Sequence, residues 1–192
     1  EESVSLVNQK YHDLKHQIAI LRTTATEEEK TAYLDQMEKE IKCYEAQNKT
    51  GNRILDTILT AKTIQCQNHG ISLTCVADGK ELDFLQPMDI SALFGNALDN
   101  AIESVKKIDD PQKRLIHVSV SRQKNFLRIK VENCYEGKLE FENGIPKTTK
   151  QDKRFHGYGM KSIRKIVEKY NGSVTVNAKD GWFELRILMV IG

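Results

Sequence analysis

The sequence predicts an α+β protein: an N-terminal antiparallel helical hairpin, then an α/β sandwich built on a mixed sheet. Three observations carry this expectation. The opening fifty residues contain neither Pro nor Gly and place apolar side chains at steps of three and four. Beyond Gly51 the apolar period switches repeatedly between that of a helix and that of a strand. Turn signals such as Asn68-His69-Gly70, Asn171-Gly172 and Asp180-Gly181 fall at the switches. The boundary is set at residues 1–50 and 51–192.

The hairpin comes first. Val4, Val7, Tyr11, Leu14, Ile18 and Leu21 form a heptad seam, and Thr23-Thr24-Ala25 interrupts it. Thr26 with Glu29 makes a capping box, so a second helix starts there with Leu34, Met37, Ile41 and Tyr44 as its seam. Two narrow-seamed helices cannot cover their apolar stripes alone. A second copy would complete a four-helix bundle, so a homodimer through residues 1–50 is expected.

The second region starts at Asn52, which can cap a helix over about 53–68. A strand at 71–77 and a loop at 79–88 follow. The next helix, about 87–106, starts at Pro87 and buries Ile90, Leu93, Phe94, Ala97, Leu98, Ala101, Ile102 and Val105. Asp109-Asp110-Pro111 closes it. Residues 115–122 and 126–133 alternate apolar and polar and meet at Gln123-Lys124-Asn125, which predicts a hairpin. Residues 134–157 are polar, with turn signals at Asn143-Gly144 and Pro146. A helix over 158–170 stops at Asn171-Gly172, and strands at 174–178 and 183–191 flank Asp180-Gly181. The total is about five strands and three helices.

Composition narrows the function. A formal net charge of +2 with 29% charged residues gives no electrostatic ground for nucleic acid or an anionic membrane as main partner. Aromatic residues are sparse, and the cysteines Cys43, Cys66, Cys75 and Cys134 form no C-x-x-C pair, as in reduced cytosolic proteins. No apolar run reaches membrane-spanning length and no signal peptide is evident. The chain begins with Glu rather than Met, as an excised fragment would.

Four constellations are candidates for chemistry. Asn96-Ala97-Leu98-Asp99-Asn100-Ala101-Ile102-Glu103 sets carboxamides four residues apart, off the apolar stripe of its helix. Asn100 can give a neutral oxygen to a Mg²⁺ shell that phosphates and water complete, or the face can simply be solvated. His12-Asp13 lies beside the seam residue Tyr11, with His16 one turn on. An exposed imidazole next to a carboxylate can accept a phosphoryl group, or it can be a surface histidine without a role. Asn133 ends a strand in its inward phase, suited to accept a hydrogen bond from a base amine or to cap a turn. Gly157 and Gly159 precede a helix, where backbone N–H groups can approach phosphates, though glycine before a helix is common. The polar segment before them carries Lys138, Lys147, Lys150, Lys153 and Arg154, either as a lid or as a solvated loop.

In chain order these pieces resemble the sensor histidine kinases of two-component signalling. The subgroup most resembled is that of peptide-pheromone, or quorum-sensing, receptors, whose ATP-binding domain has the GHKL (Bergerat) fold. The resemblance implies that His12 is the phosphoacceptor and Asp13 the acid that assists it. It implies that Asn96 and Asn100 form the N motif, with Asn100 the Mg²⁺ ligand. Asn133 and Gly137 stand in the first glycine motif, where most kinases have D-x-G-x-G. Gly157, Gly159 and Met160 match the second, with Met160 in place of the usual Leu. Two departures stand out: Asn133 replaces the acid that reads adenine, and Glu103 stands where many kinases carry a basic residue.

The function so implied is ATP- and Mg²⁺-dependent autophosphorylation of His12, then transfer to an aspartate on a response-regulator receiver domain. The full-length protein would sit at the cytoplasmic face of the membrane, anchored by a sensor segment absent from this chain, with the fragment itself soluble. A non-catalytic dimeric phosphotransfer or scaffold protein with a degenerate nucleotide domain is the alternative. Hydrolytic GHKL ATPases place a Glu base where this chain has Asn96, which argues against water activation. On charge alone, Asn133→Asp is expected to tighten ATP binding.

Overall fold

The computed structural model describes residues 49–137 and 158–191, the backbone of 141–142 and 145–146, and residues 26, 30 and 31. The predicted hairpin, His12, Asp13 and Gly157 lie outside the described residues, as does most of the lid. The chain divides into two compact units, Glu1–Glu45 and Ala46–Gly192, and the elements named here belong to the second.

Helix α1 spans Arg53–Gln67. Asn52 caps it, its side-chain oxygen accepting from the Ile54 and Leu55 N–H groups at 3.2 and 3.1 Å. Its amide nitrogen donates to Asp83 at 3.1 Å, which ties the helix start to a distant loop. The helix ends on Gly70, at φ 62, with the Ile71 N–H reaching back to the Cys66 carbonyl at 2.9 Å. Strand β1, Ser72–Ala77, follows. The expected loop at 79–88 contains a 3-10 turn, Gly79–Leu82, with Leu82 and Leu85 buried. A four-residue element is too short to leave a period in the sequence.

Helix α2 covers Pro87–Val105 and buries all eight predicted core residues. Leu93, Phe94 and Leu98 are wholly enclosed. Each such side chain contributes about 1.5–3 kcal/mol relative to exposure. That burial fixes the roll of α2 on the sheet, and hence the direction of its polar face.

Strands β2, Leu115–Gln123, and β3, Phe126–Cys134, form the predicted hairpin, with Gln123 paired to Phe126. Lys124 sits in the turn at φ 56. Short strands β4, Phe141–Glu142, and β5, Ile145–Pro146, pair with each other. Helix α3 is Tyr158–Lys169. Its C-terminal end turns on Asn171 at φ 52, with the Gly172 N–H bonded to the Val167 carbonyl at 2.9 Å. A Cβ on Gly172 would lie 2.7 Å from the Leu188 carbonyl oxygen, so only glycine fits there. Strands β6, Ser173–Lys179, and β7, Trp182–Val190, close over Asp180-Gly181, with φ 53 and 79 as a type I′ turn requires.

The main sheet has five strands in the order β1-β2-β3-β7-β6. β1 runs parallel to β2, and every other pairing is antiparallel, which bears out the mixed sheet. Inward residues such as Ile116, Val118, Ile129, Val131, Leu185 and Ile187 join the buried faces of the helices in one apolar core. The other face carries polar side chains, including Lys130 and Glu132 paired at 2.9 Å and His117 stacked on Trp182 with centroids 5.1 Å apart. Among the described residues no helix is long and apolar enough to cross a membrane.

Candidate functional site

The polar face of α2 meets the first turn of α3. Asn96 is half-buried and Asn100 exposed. Asn96 donates from its amide nitrogen to the Ala92 carbonyl at 2.7 Å, one turn back, so its oxygen faces outward. Gly159 stands over both amides. A Cβ built there would lie 3.4 Å from the Asn96 oxygen and 3.5 and 3.7 Å from the two amide atoms of Asn100. The absent side chain leaves a small cradle, one that a Cβ would fill at ordinary van der Waals distance, between the carboxamides and the N-terminus of α3. Backbone N–H groups in a first helical turn lack intrahelical partners and, with the helix dipole, favour an anion.

Among the described residues no group of three or more His, Cys, Asp or Glu side chains is arranged to hold a metal ion. The donors in the cradle are neutral amide oxygens. Such hard donors suit Mg²⁺ when phosphate oxygens and water complete the shell. The residues present therefore fit a Mg²⁺–triphosphate group.

Asn133 is 2% exposed at the inward end of β3. Its amide nitrogen donates to the Cys134 carbonyl at 2.8 Å, which leaves its oxygen as an acceptor. That orientation suits a donor such as an exocyclic amine. Gly137 follows at φ 93, a conformation other residues rarely adopt, with no atom within 4 Å of a built Cβ. Met160 packs its side chain against the apolar core beside the cradle.

Two polar junctions were not visible in the sequence. Lys62 of α1 donates to Asp99 of α2 at 2.6 Å, which joins those helices beside the amide face. At the far end of α2, Lys169 donates to Asp89 at 2.7 Å and to Gln86 at 2.9 Å. The Tyr170 hydroxyl donates to Asp89 at 2.6 Å and accepts from the Gln86 N–H at 3.0 Å. Hydrogen bonds from Lys169 first, then Tyr170, hold the Asp89 carboxyl below its usual range. The bond to Asp89 in turn raises the Lys169 ammonium. The Asp89 contribution is thus present above an unfolded value of about 3.9 and lost as pH falls through the lower folded one; that of Lys169 is present below about 10.4 and lost above its higher folded one. Both partners stay charged across the neutral range. Burial pushes the Cys66 and Cys75 thiols up to about 11, so they remain neutral and unreactive, as expected of packing residues.

Of the sequence-predicted residues, the structure brings Asn96, Asn100 and Gly159 together, and sets Met160 next in α3. Asn133 and Gly137 lie at the end of β3. No sequence signal pairs Tyr170 with Asp89 or Lys62 with Asp99, because each acts on a residue far away in the chain.

A family model described as GHKL domain matches residues 85–190, a span that takes in every predicted site residue except His12 and Asp13. A probable C4-dicarboxylate sensor kinase of Halalkalibacterium halodurans is 23% identical over 189 residues, covering 93% of this chain and 35% of that protein. The chain therefore spans about a third of the length of this relative. Among solved structures, a nucleotide-free form of the catalytic domain of histidine kinase ThkA aligns with a TM-score of 0.55 and 15% identity, over 71% of this chain and 90% of that one. A second nucleotide-free form gives 0.56 and 16%, over 71% and 91%. These likenesses concern the fold.

Proposed function

Because the chain belongs to the GHKL domain family, we propose that it is the kinase portion of a two-component sensor, phosphorylating itself on His12 from ATP and passing the group to a response-regulator aspartate. The observation that carries this reading is the cradle: Gly159 without a side chain over Asn96 and Asn100. It supplies oxygen donors and helix N–H groups side by side, as a Mg²⁺–triphosphate requires. Bound Mg²⁺–ATP would supply the transferable γ-phosphoryl group and the charge neutralisation that goes with it.

The chain's own residues orient and exchange protons. Asn100 would give its oxygen to the bound metal, and Asn96 would border the phosphates. Gly159 would let the backbone of the first turn of α3 approach them, the resemblance assigns the same part to Gly157, and Met160 seats that turn on the core. The Asn133 oxygen would accept from adenine N6, and the positive φ of Gly137 would let the chain turn beside the base. A guanine O6 would meet that acceptor with another acceptor, so adenine is preferred. One ring nitrogen of neutral His12 would attack the γ-phosphorus as its bond to the β–γ bridging oxygen breaks and ADP leaves, and Asp13 would take the proton from the other nitrogen. The resemblance to peptide-pheromone receptors, and a membrane-bound sensor segment in the whole protein, are part of the same proposal.

Incubation of the purified chain with γ-labelled ATP and Mg²⁺ tests it. Acid-labile, alkali-stable label is expected, lost in His12→Ala and kept in His16→Ala. The reverse pattern would overturn the assignment of His12. Nucleotide binding without label would favour the scaffold alternative.

The heptad seams at 1–50 support a homodimer. Sedimentation should give a dimer for the whole chain and a monomer for residues 51–192. A monomeric whole chain at tens of micromolar, roughly where such bundles associate, would count against it.

A further inference from the structure

We propose that Tyr170 and Lys169, through Asp89 and Gln86, act as positioning residues that set where the first turn of α3 sits against Asn96 and Asn100. They thereby govern affinity for the triphosphate of the nucleotide. This rests on the reading of the cradle as a Mg²⁺–ATP site.

α3 touches α2 in three ways. At its C-terminal end the hydroxyl of Tyr170 bridges the Asp89 carboxylate and the backbone N–H of Gln86. Beside it the Lys169 ammonium bonds Asp89 and Gln86. In the middle α3 buries Ile163, Ile166 and Val167. At its N-terminal end Gly159 approaches the two carboxamides. The two helices therefore run antiparallel, with polar contacts at one end and the cradle at the other.

Apolar burial resists separation of the helices but has little direction, so it fixes their axial register weakly. Hydrogen bonds are directional and lose strength with small displacements. The Tyr170–Asp89–Lys169 cluster is thus the part of the interface that resists sliding. Its charges suit their places: Asp89 lies in the first turn of α2 and Lys169 in the last turn of α3, each complementing its helix dipole. The Phe84 ring meets Tyr170 edge-on with centroids 5.9 Å apart, which fixes the phenol ring and its hydroxyl. A helix moves as a rod, so a slide at Lys169 arrives undiminished at Gly159, about 15 Å along the axis. Gly159 is the residue of α3 that faces both carboxamides, so a slide changes its spacing from them directly.

The test uses the whole chain with Tyr170→Phe, Asp89→Asn and the double variant. Tyr170→Phe keeps the ring against Phe84 and removes only the hydroxyl. Mg²⁺–ATP and adenosine are each titrated calorimetrically, and the Gly159 amide resonance is followed without nucleotide. The Mg²⁺–ATP dissociation constant should rise about fivefold in each single variant, the worth of one net hydrogen bond. Adenosine, held at Asn133, should change less than about twofold, within the scatter expected of uncoupled sites. The Gly159 resonance should move. Unchanged Mg²⁺–ATP affinity, an equal loss for both ligands, or a stationary Gly159 resonance would each overturn the proposal. If the native chain binds no Mg²⁺–ATP, the nucleotide reading itself fails and the claim about triphosphate affinity falls with it.

Discussion

Asn100→Ala should abolish Mg²⁺-dependent nucleotide binding and leave the chain folded. Asn100 is exposed and off the buried stripe of α2, so its truncation opens no cavity. Alanine is also the better helix former, by up to about 0.7 kcal/mol. The melting temperature should therefore hold or rise slightly. Affinity for Mg²⁺–ATP should fall beyond the reach of titration, because the cradle would keep the Asn96 oxygen but lose its metal ligand. Under the proposed function adenosine is held at the Asn133 end, so its binding should survive. Calorimetry with both ligands, beside a thermal melt, gives all three results. Undiminished Mg²⁺–ATP affinity would remove Asn100 from the metal shell.

Asn133→Asp should destabilise the fold, in contrast to the gain in ATP affinity that charge alone suggests. The native amide donates to the Cys134 carbonyl from a position only 2% exposed. A carboxylate there would set acceptor against acceptor in a site poor in water. The cost is about 1–3 kcal/mol, the penalty of an unsatisfied buried group. Desolvation would raise the new carboxyl above its unfolded value of about 3.9. A raised acid stabilises the fold fully below the unfolded value and loses that contribution as pH rises through the folded one. The urea midpoint of the variant should therefore fall between pH 4 and pH 8 relative to the native chain. Equal midpoints for the two proteins at pH 8 would mean that the bond to Cys134 contributes nothing.

Both results turn on what sequence periodicity conveys and what it omits. The apolar stripe of α2 was legible because helical spacing selects one face, and burial then followed for every residue from Ile90 to Val105 on that face. The β2–β3 hairpin was legible because Ile116, Val118 and Val120 alternate with polar neighbours, and so were the turns at Asn171 and Asp180. Asn133 was correctly placed inward by the same alternation. The direction of its amide was not, since that depends on a backbone carbonyl rather than on a pattern. Lys62 and Asp99 are 37 residues apart, and Tyr170 and Asp89 are 81 apart. Local spacing carries no record of such pairs. Gly157 and Gly159 could be read as a phosphate turn, although Gly159 proves to lie in the first turn of α3, and only the resemblance said that Asn100 would share their site.

The parallel pairing of β1 with β2 has a consequence for folding. Thr74 and His117 meet across that pair from 43 residues apart. All of α2 lies within the closure. Distant pairing of this kind spends chain entropy before contacts repay it, so it belongs late in folding. A ligand held by α2 recognises only chains that have completed the closure. Under the proposed function, nucleotide at a hundred times its dissociation constant would deepen the native well by about 2.7 kcal/mol. The lifetime of the chain against proteolysis would then follow the nucleotide supply of the cell.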